Sequence, residues 1–130
     1  MANPNIFNTT SIVGGNAGWN LTATLTTLLM TVDTNKIVKI NSILALSSLY
    51  SKNLTLYISG LGTGAAGVTT TGADSNFYIA QDLAVSANAP VELISQPIYM
   101  MEGDQLKGGS TIYSTYKVSV LVSYEVIDDA

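Results

Sequence analysis

From Leu21 onward, apolar and polar residues alternate with a period of two in segment after segment, a pattern that confines this chain to β-structure. The longest run is Val118, Val120, Val122, Tyr124 and Val126, alternating with Lys117, Ser119, Leu121, Ser123 and Glu125. Leu54, Leu56 and Ile58 alternate with Thr55, Tyr57 and Ser59, and Val38, Ile40, Leu44 and Leu46 repeat at even spacing around Lys39 and Asn41. Shorter β-branched or aromatic segments fall at 22–32, 77–82, 91–95 and 98–101. Turn residues separate them, notably Asn88-Ala89-Pro90 and Glu102-Gly103-Asp104. No segment offers the crossover helix that parallel strands need. The expectation is therefore an all-β chain, a single antiparallel β-sandwich or jelly roll of about eight strands spanning residues 21–130. Its core should include Val38, Ile40, Leu44, Leu54, Leu56, Ile58, Val118, Val120 and Val122.

Two segments stand outside that pattern. Residues 1–20 carry no charge and scatter Ile6, Phe7, Ile12 and Trp19 among Asn, Thr and Gly, which reads as an extended N-terminal arm that orders against a partner. Residues 60–74 hold five Gly and a Thr69-Thr70-Thr71 run, which reads as a long exposed loop. Within it Gly62-Thr63-Gly64-Ala65-Ala66-Gly67 matches a dinucleotide fingerprint in form. The β-branched, Gly-broken stretch that follows cannot supply the helix N-terminus that such a motif aims at pyrophosphate.

Chemistry is limited by what the chain lacks. Its 130 residues include no His, Cys or Arg, with 9 acidic residues and 5 Lys as the charged groups. There is thus no imidazole base, no thiolate nucleophile and no guanidinium fork. Ser and Thr are plentiful but have no evident activator. No catalytic residue, cofactor site or metal site is assigned, and the chain is read as a non-enzyme. Glu102 and Asp104 form the best carboxylate pair, yet they bracket a Gly in a turn, where Asp commonly bonds its own backbone. A net charge of −4 without Arg argues against nucleic acid, because affinity for that polyanion rests on basic contacts. The first Lys is Lys36, no apolar run approaches ~20 residues, and neither a secretory signal nor a membrane span is expected.

Average composition would place roughly 32 charges on a chain of this size, more than twice the number present. A surface so poor in charge is expected to be covered by other subunits. The interface residues expected are Ile6, Phe7, Ile12, Trp19, Tyr57, Tyr99, Met101 and Leu121. Trp19 and the tyrosines leave open a different class of function, a displayed carbohydrate- or receptor-binding module.

The run from Thr34 to Leu46, Phe77-Tyr78-Ile79-Ala80, the run from Pro97 to Lys107 and Val118–Glu125 together resemble small β-sandwich virion proteins of tailed bacteriophages. That group includes capsid decoration (cement) proteins and related neck or tail components, and the resemblance spans roughly residues 30–127. It implies a structural hairpin at Pro97, Glu102, Gly103 and Asp104, with no active-site role. It also implies a homo-oligomer, a trimer above all, made in the bacterial host cytoplasm and clamped in the virion on the major capsid protein or another virion protein. The loop at 60–74 and the arm at 1–20 are its departures from the common core of that group.

Overall fold

The computed structural model describes residues 11–21, 27–47, 52–60, 75–85, 89–110 and 118–128. Nine strands follow one another: β1 (Ser11–Leu21), β2 (Thr27–Thr31), β3 (Lys36–Ser47), β4 (Lys52–Ser59), β5 (Asn76–Val85), β6 (Val91–Glu92), β7 (Ile98–Met100), β8 (Gln105–Ser110) and β9 (Val118–Asp128). Among the described residues there is no helix, and every strand pair is antiparallel.

The pairing is nested. β1 pairs with β9, β2 with β8, β3 with both β6 and β7, and β4 with β5, as if the chain were one long hairpin bent between β4 and β5. Gly60 N–H donates to the Ser75 carbonyl at 2.7 Å and closes the base of that bend. The doubled strip is then wrapped so that successive pairs fall in opposite sheets: β1-β9-β3-β6, with β7 also on β3, faces β2-β8-β4-β5. This winding is a jelly roll, the sandwich in which both sheets share one core.

That core is built from the inward-facing members of the alternating runs. Val118, Val120 and Val122 of β9 meet Leu54, Leu56 and Ile58 of β4, with Ile40, Ile43, Met100 and Leu106 filling the space between. Gly108 of β8 lets the sheets interdigitate, since a Cβ there would come within 3.0–3.3 Å of Leu56, Leu29 and Leu21. On the other sheet Gly15 lies beneath the Tyr124 ring, where a Cβ would approach to 3.0 Å. Ser110 Oγ donates to the Leu21 carbonyl and ties β8 to the end of β1.

Two expectations are corrected. Leu44 is not in the core, because the pairing of β3 with β9 slips at Asn41: Ile40 faces Tyr124 and Ser42 faces Ser123. One extra residue in a strand reverses the faces beyond it. Ile43, Ala45 and Ser47 therefore turn inward, while Leu44 and Leu46 turn out. The second correction concerns the arm. From Ser11 onward it is strand β1, paired residue by residue with β9 up to Leu21 and Val118, so deletion through residue 20 would strip a whole strand from its sheet. Residues 1–10 and the 61–74 stretch with its glycine motif lie outside the described residues.

The slip at Asn41 is open to direct test. Val120→Ala should lower unfolding stability by about 2 kcal/mol through lost burial and an unfilled cavity, whereas Leu44→Ala, on the outer face, should lower it by about 0.5 kcal/mol. Denaturant titration of both variants reads the difference, and equal losses would show that Leu44 does face the core.

Candidate interaction surface

The carboxylate pair is a structural knot. Asn35, in the turn between β2 and β3, sits at φ 60, a conformation Asn tolerates better than most residues. Its N–H donates to Glu102 Oε2 at 2.8 Å. Asp104 is 2% exposed, and its Oδ2 accepts the Met101 N–H at 2.9 Å. Around it the backbone closes on itself: Val32 N–H donates to the Asp104 carbonyl, Gly103 N–H to the Val32 carbonyl and Asp104 N–H to the Met101 carbonyl. Gly103, at φ 85, and Gly60, at φ 97, occupy the left-handed region, and any side chain on Gly60 would meet Asp104 Oδ1 at 3.0 Å. Glu102 thus fastens the β2–β3 turn to the β7–β8 turn, Asp104 holds the β7–β8 turn closed, and the backbone bonds of Val32 with Gly103 and Asp104 complete the link. Among the described residues no group of three or more metal-ligating side chains comes together. No helix among them is long and apolar enough to cross a membrane.

The surface with a distinct character is the outer face of the β1-β9-β3 sheet. Leu121 of β9 pairs with Leu44 of β3 on one side and with Gly18 of β1 on the other. With no side chain at Gly18, Leu121 leans over the β1 backbone, its Cδ1 3.7 Å from where a Cβ would stand. Leu44, Leu46, Leu121, Pro90 and Trp19 are among the residues that line a groove of about 410 Å³ whose walls include no charged residue. Beside it runs a polar ladder, with Ser119 Oγ donating to Asn20 Oδ1 at 2.6 Å and Ser123 Oγ donating to Asn16 Oδ1. Farther along the same face Ile12 pairs with Ile127. On the opposite, core-facing side, at the end of the sandwich, Lys36 Nζ meets Asp128 Oδ1 at 2.9 Å across β3 and β9, a solvent-accessible pair of the kind worth well under about 1 kcal/mol. A second opening of about 420 Å³, between β5 and residues 93–98, has Phe77 at its mouth, 57% exposed.

The residues expected at an interface do not gather in one place. Ile6 and Phe7 lie outside the described residues. Ile12, 56% exposed, and Leu121, 44% exposed, share the outer face of the β1-β9-β3 sheet, where Tyr99 stands opposite Lys39. Trp19 pairs with the buried Val120 and packs, partly buried, against the core, and it also borders the groove. Tyr57 belongs to the opposite sheet, where its ring rests on Tyr78 at 5.0 Å and 33°. Met101 is half-buried in the Glu102–Asp104 turn. The described aromatic residues Trp19, Tyr57 and Tyr99 are thus split between two sheets and the core, and these three assemble no common flat platform of the kind that sugar rings favour. Leu44, Leu46 and Pro90 were missed as surface residues, the two leucines because the slip at Asn41 carries no sequence signature stronger than the polar pair Asn41-Ser42.

No family model matches the chain, and no curated protein matches it. Among solved structures, the infectious bursal disease virus VP2 subviral particle is similar over 92% of this chain and 33% of that chain, at 13% identity and a TM-score of 0.48. Bacillus endospore appendages, described as a family of disulfide-linked pili, are similar over 92% of this chain and 90% of that chain, at 8% identity and a TM-score of 0.45. The T13 viral particle of infectious bursal disease virus follows at 9% identity and a TM-score of 0.45, over 92% and 35% of the two chains. The chain spans about a third of the length of the two bursal disease virus proteins. Identity of 13% or less with TM-scores below 0.5 is too little to carry a partner, an assembly or an activity to this chain.

The two carboxylates of the turn should respond to pH with opposite signs. Burial raises Asp104 above its ordinary 3.8, against the pull of the Met101 N–H, so the folded chain holds that proton more tightly than the unfolded one. Its contribution is favourable below 3.8 and is lost as pH rises through the raised folded value. Glu102 is lowered from 4.5 by the Asn35 N–H, so its contribution is present above 4.5 and is lost as pH falls through the folded value. Asp104→Asn keeps an oxygen for Met101 and removes the buried charge. At pH 7 it should melt no lower than the wild type, and any margin should vanish as the pH approaches 3.8. Melting curves across that range check the sign, and a margin that grows on acidification would show that the charge of Asp104 holds the turn.

Proposed function

We propose that the chain is a non-enzymatic virion structural protein of a tailed bacteriophage, a capsid decoration protein that docks through the outer face of its β1-β9-β3 sheet. The observation that carries this reading is the uncharged groove of Leu44, Leu46, Leu121 and Pro90, set on a chain with only 9 acidic residues and 5 Lys. A protein that must stay dispersed alone gains little from keeping leucines there, whereas one covered by a neighbour loses little by having few charges. The sequence resemblance to phage β-sandwich virion proteins supplies the kind of neighbour, the major capsid protein. Clamping would work by repetition: a standard contact buries roughly 1,600 Å², and copies that also bind one another gain avidity without any single strong site.

A mass-resolved protein inventory of purified particles tests the placement. Copy numbers in fixed ratio to the major capsid protein are expected, and a handful of copies per particle would move the chain to the neck or tail. Leu121→Asp should leave the fold intact, since the side chain is 44% exposed, and should reduce particle occupancy at least about tenfold. Full occupancy by that variant would remove this face as the docking surface. A specific hit in a glycan-binding screen would favour a displayed carbohydrate-binding module instead.

A further inference from the structure

Among the described strands β1 ends its sheet, and the strand itself carries none of the usual protections. Edge strands expose a row of unpaired N–H and C=O groups, and proteins blunt them by shortness, charge, Pro or a bulge. β1 is 11 residues long, contains no Pro and no charged residue, and keeps an unbroken register with β9 from Ser11 to Leu21. The other edges among the described strands are protected. β2 has 5 residues and a register shift between Leu28 and Met30. β5 is broken twice, with Asp82 at φ 49 beside one break. β6 and β7 have 2 and 3 residues.

We infer that β1 pairs with β1 of a second copy of this chain, antiparallel about a two-fold axis through Asn16. The argument is one of matching. A regular strand of 11 residues needs a regular partner of similar length, and on a second copy the described edge that offers one is β1 itself. Only an axis at Asn16, the midpoint of Ser11–Leu21, overlaps all 11 residues. That register pairs Val13 with the second copy's Trp19, Gly14 with Gly18, Gly15 with Ala17 and Ile12 with Asn20. Each pair keeps to one face of the sheet, because Trp19 and Leu21 turn to the core whereas Asn16 and Asn20 bond serines on the outer face. Val13, 59% exposed in the single copy, comes to lie against an indole. No charge faces a like charge, since the strand has none. The result joins two five-stranded sheets into one and brings both Leu121 grooves onto a common face. An isologous pairing closes at two copies, against the three that the resemblance implies. The inference rests on the edge and not on the virion reading.

Sedimentation of the full chain at micromolar concentration should show the mass of two chains. Asn16→Lys and Asn16→Asp each set like charges against each other at the axis and should weaken the dimer at least about fivefold, with unchanged far-UV circular dichroism. An equimolar mixture of the two variants should recover the dimer. Because the chain has no Cys, Asn16→Cys should also form a disulfide-linked dimer on mild oxidation, at the Cα separation of roughly 4.5–5.5 Å that facing residues adopt. A wild-type monomer or trimer, an Asn16→Lys protein that dimerises as the wild type does, a mixture that stays monomeric, or an Asn16→Cys protein that does not cross-link would each overturn the pairing.

Discussion

Everything in this sandwich leans on β9. It is the strand with long partners on both sides, β1 and β3 each along all 11 of its residues, and its Val118, Val120 and Val122 form the floor of the core. Without β9, β1 has no neighbour and β3 keeps only the short β6 and β7. The opposite sheet depends on β8 in the same way, since β8 joins β2 to β4. Both central strands come from the last third of the chain, so the first two thirds cannot complete either sheet alone.

The alternation of β9 and of β4 was readable in sequence because each of those strands buries its inward valines and leucines, and the extra residues of its slipped pairings lie in the partner strand. The burial of Val118, Val120, Val122, Leu54, Leu56 and Ile58 follows directly. In β3 the same reasoning fails after Ile40, because a bulge depends on how the partner strand is aligned, and one sequence does not contain that alignment. β1 was hidden for a different reason. Its inward residues, Val13, Gly15, Ala17, Trp19 and Leu21, do alternate with Ile12, Gly14, Asn16, Gly18 and Asn20, but glycines on both faces flatten the contrast. It is a strand because β9 is beside it more than because of its own propensity. The Glu102–Asp104 turn was legible as a turn, whereas its bond to Asn35, 67 residues away, was not.

The surface follows from the same facts. Leu44 and Leu46 reach the outside only through the slip in β3, and the groove they make with Leu121 needs the missing side chain of Gly18. The candidate docking face is thus a product of two irregularities, one bulge and one glycine, in sheets that are otherwise regular. The charged residues of this face border the groove rather than line it, Glu92 opposite Leu44 and Lys39 opposite Glu125.

The nested pairing also sets an order of events while the chain is being made. β1 emerges from the ribosome before any other described strand, and its partner β9 emerges after all of them. Over the synthesis of everything between Leu21 and Val118, β1 waits with both edges bare, next to nascent copies in the same condition on the same message. A strand without charge or Pro is poorly equipped for that interval. Three glycines and two asparagines within Ser11–Leu21 weaken its tendency to pair by itself, and so hold it open until β9 arrives.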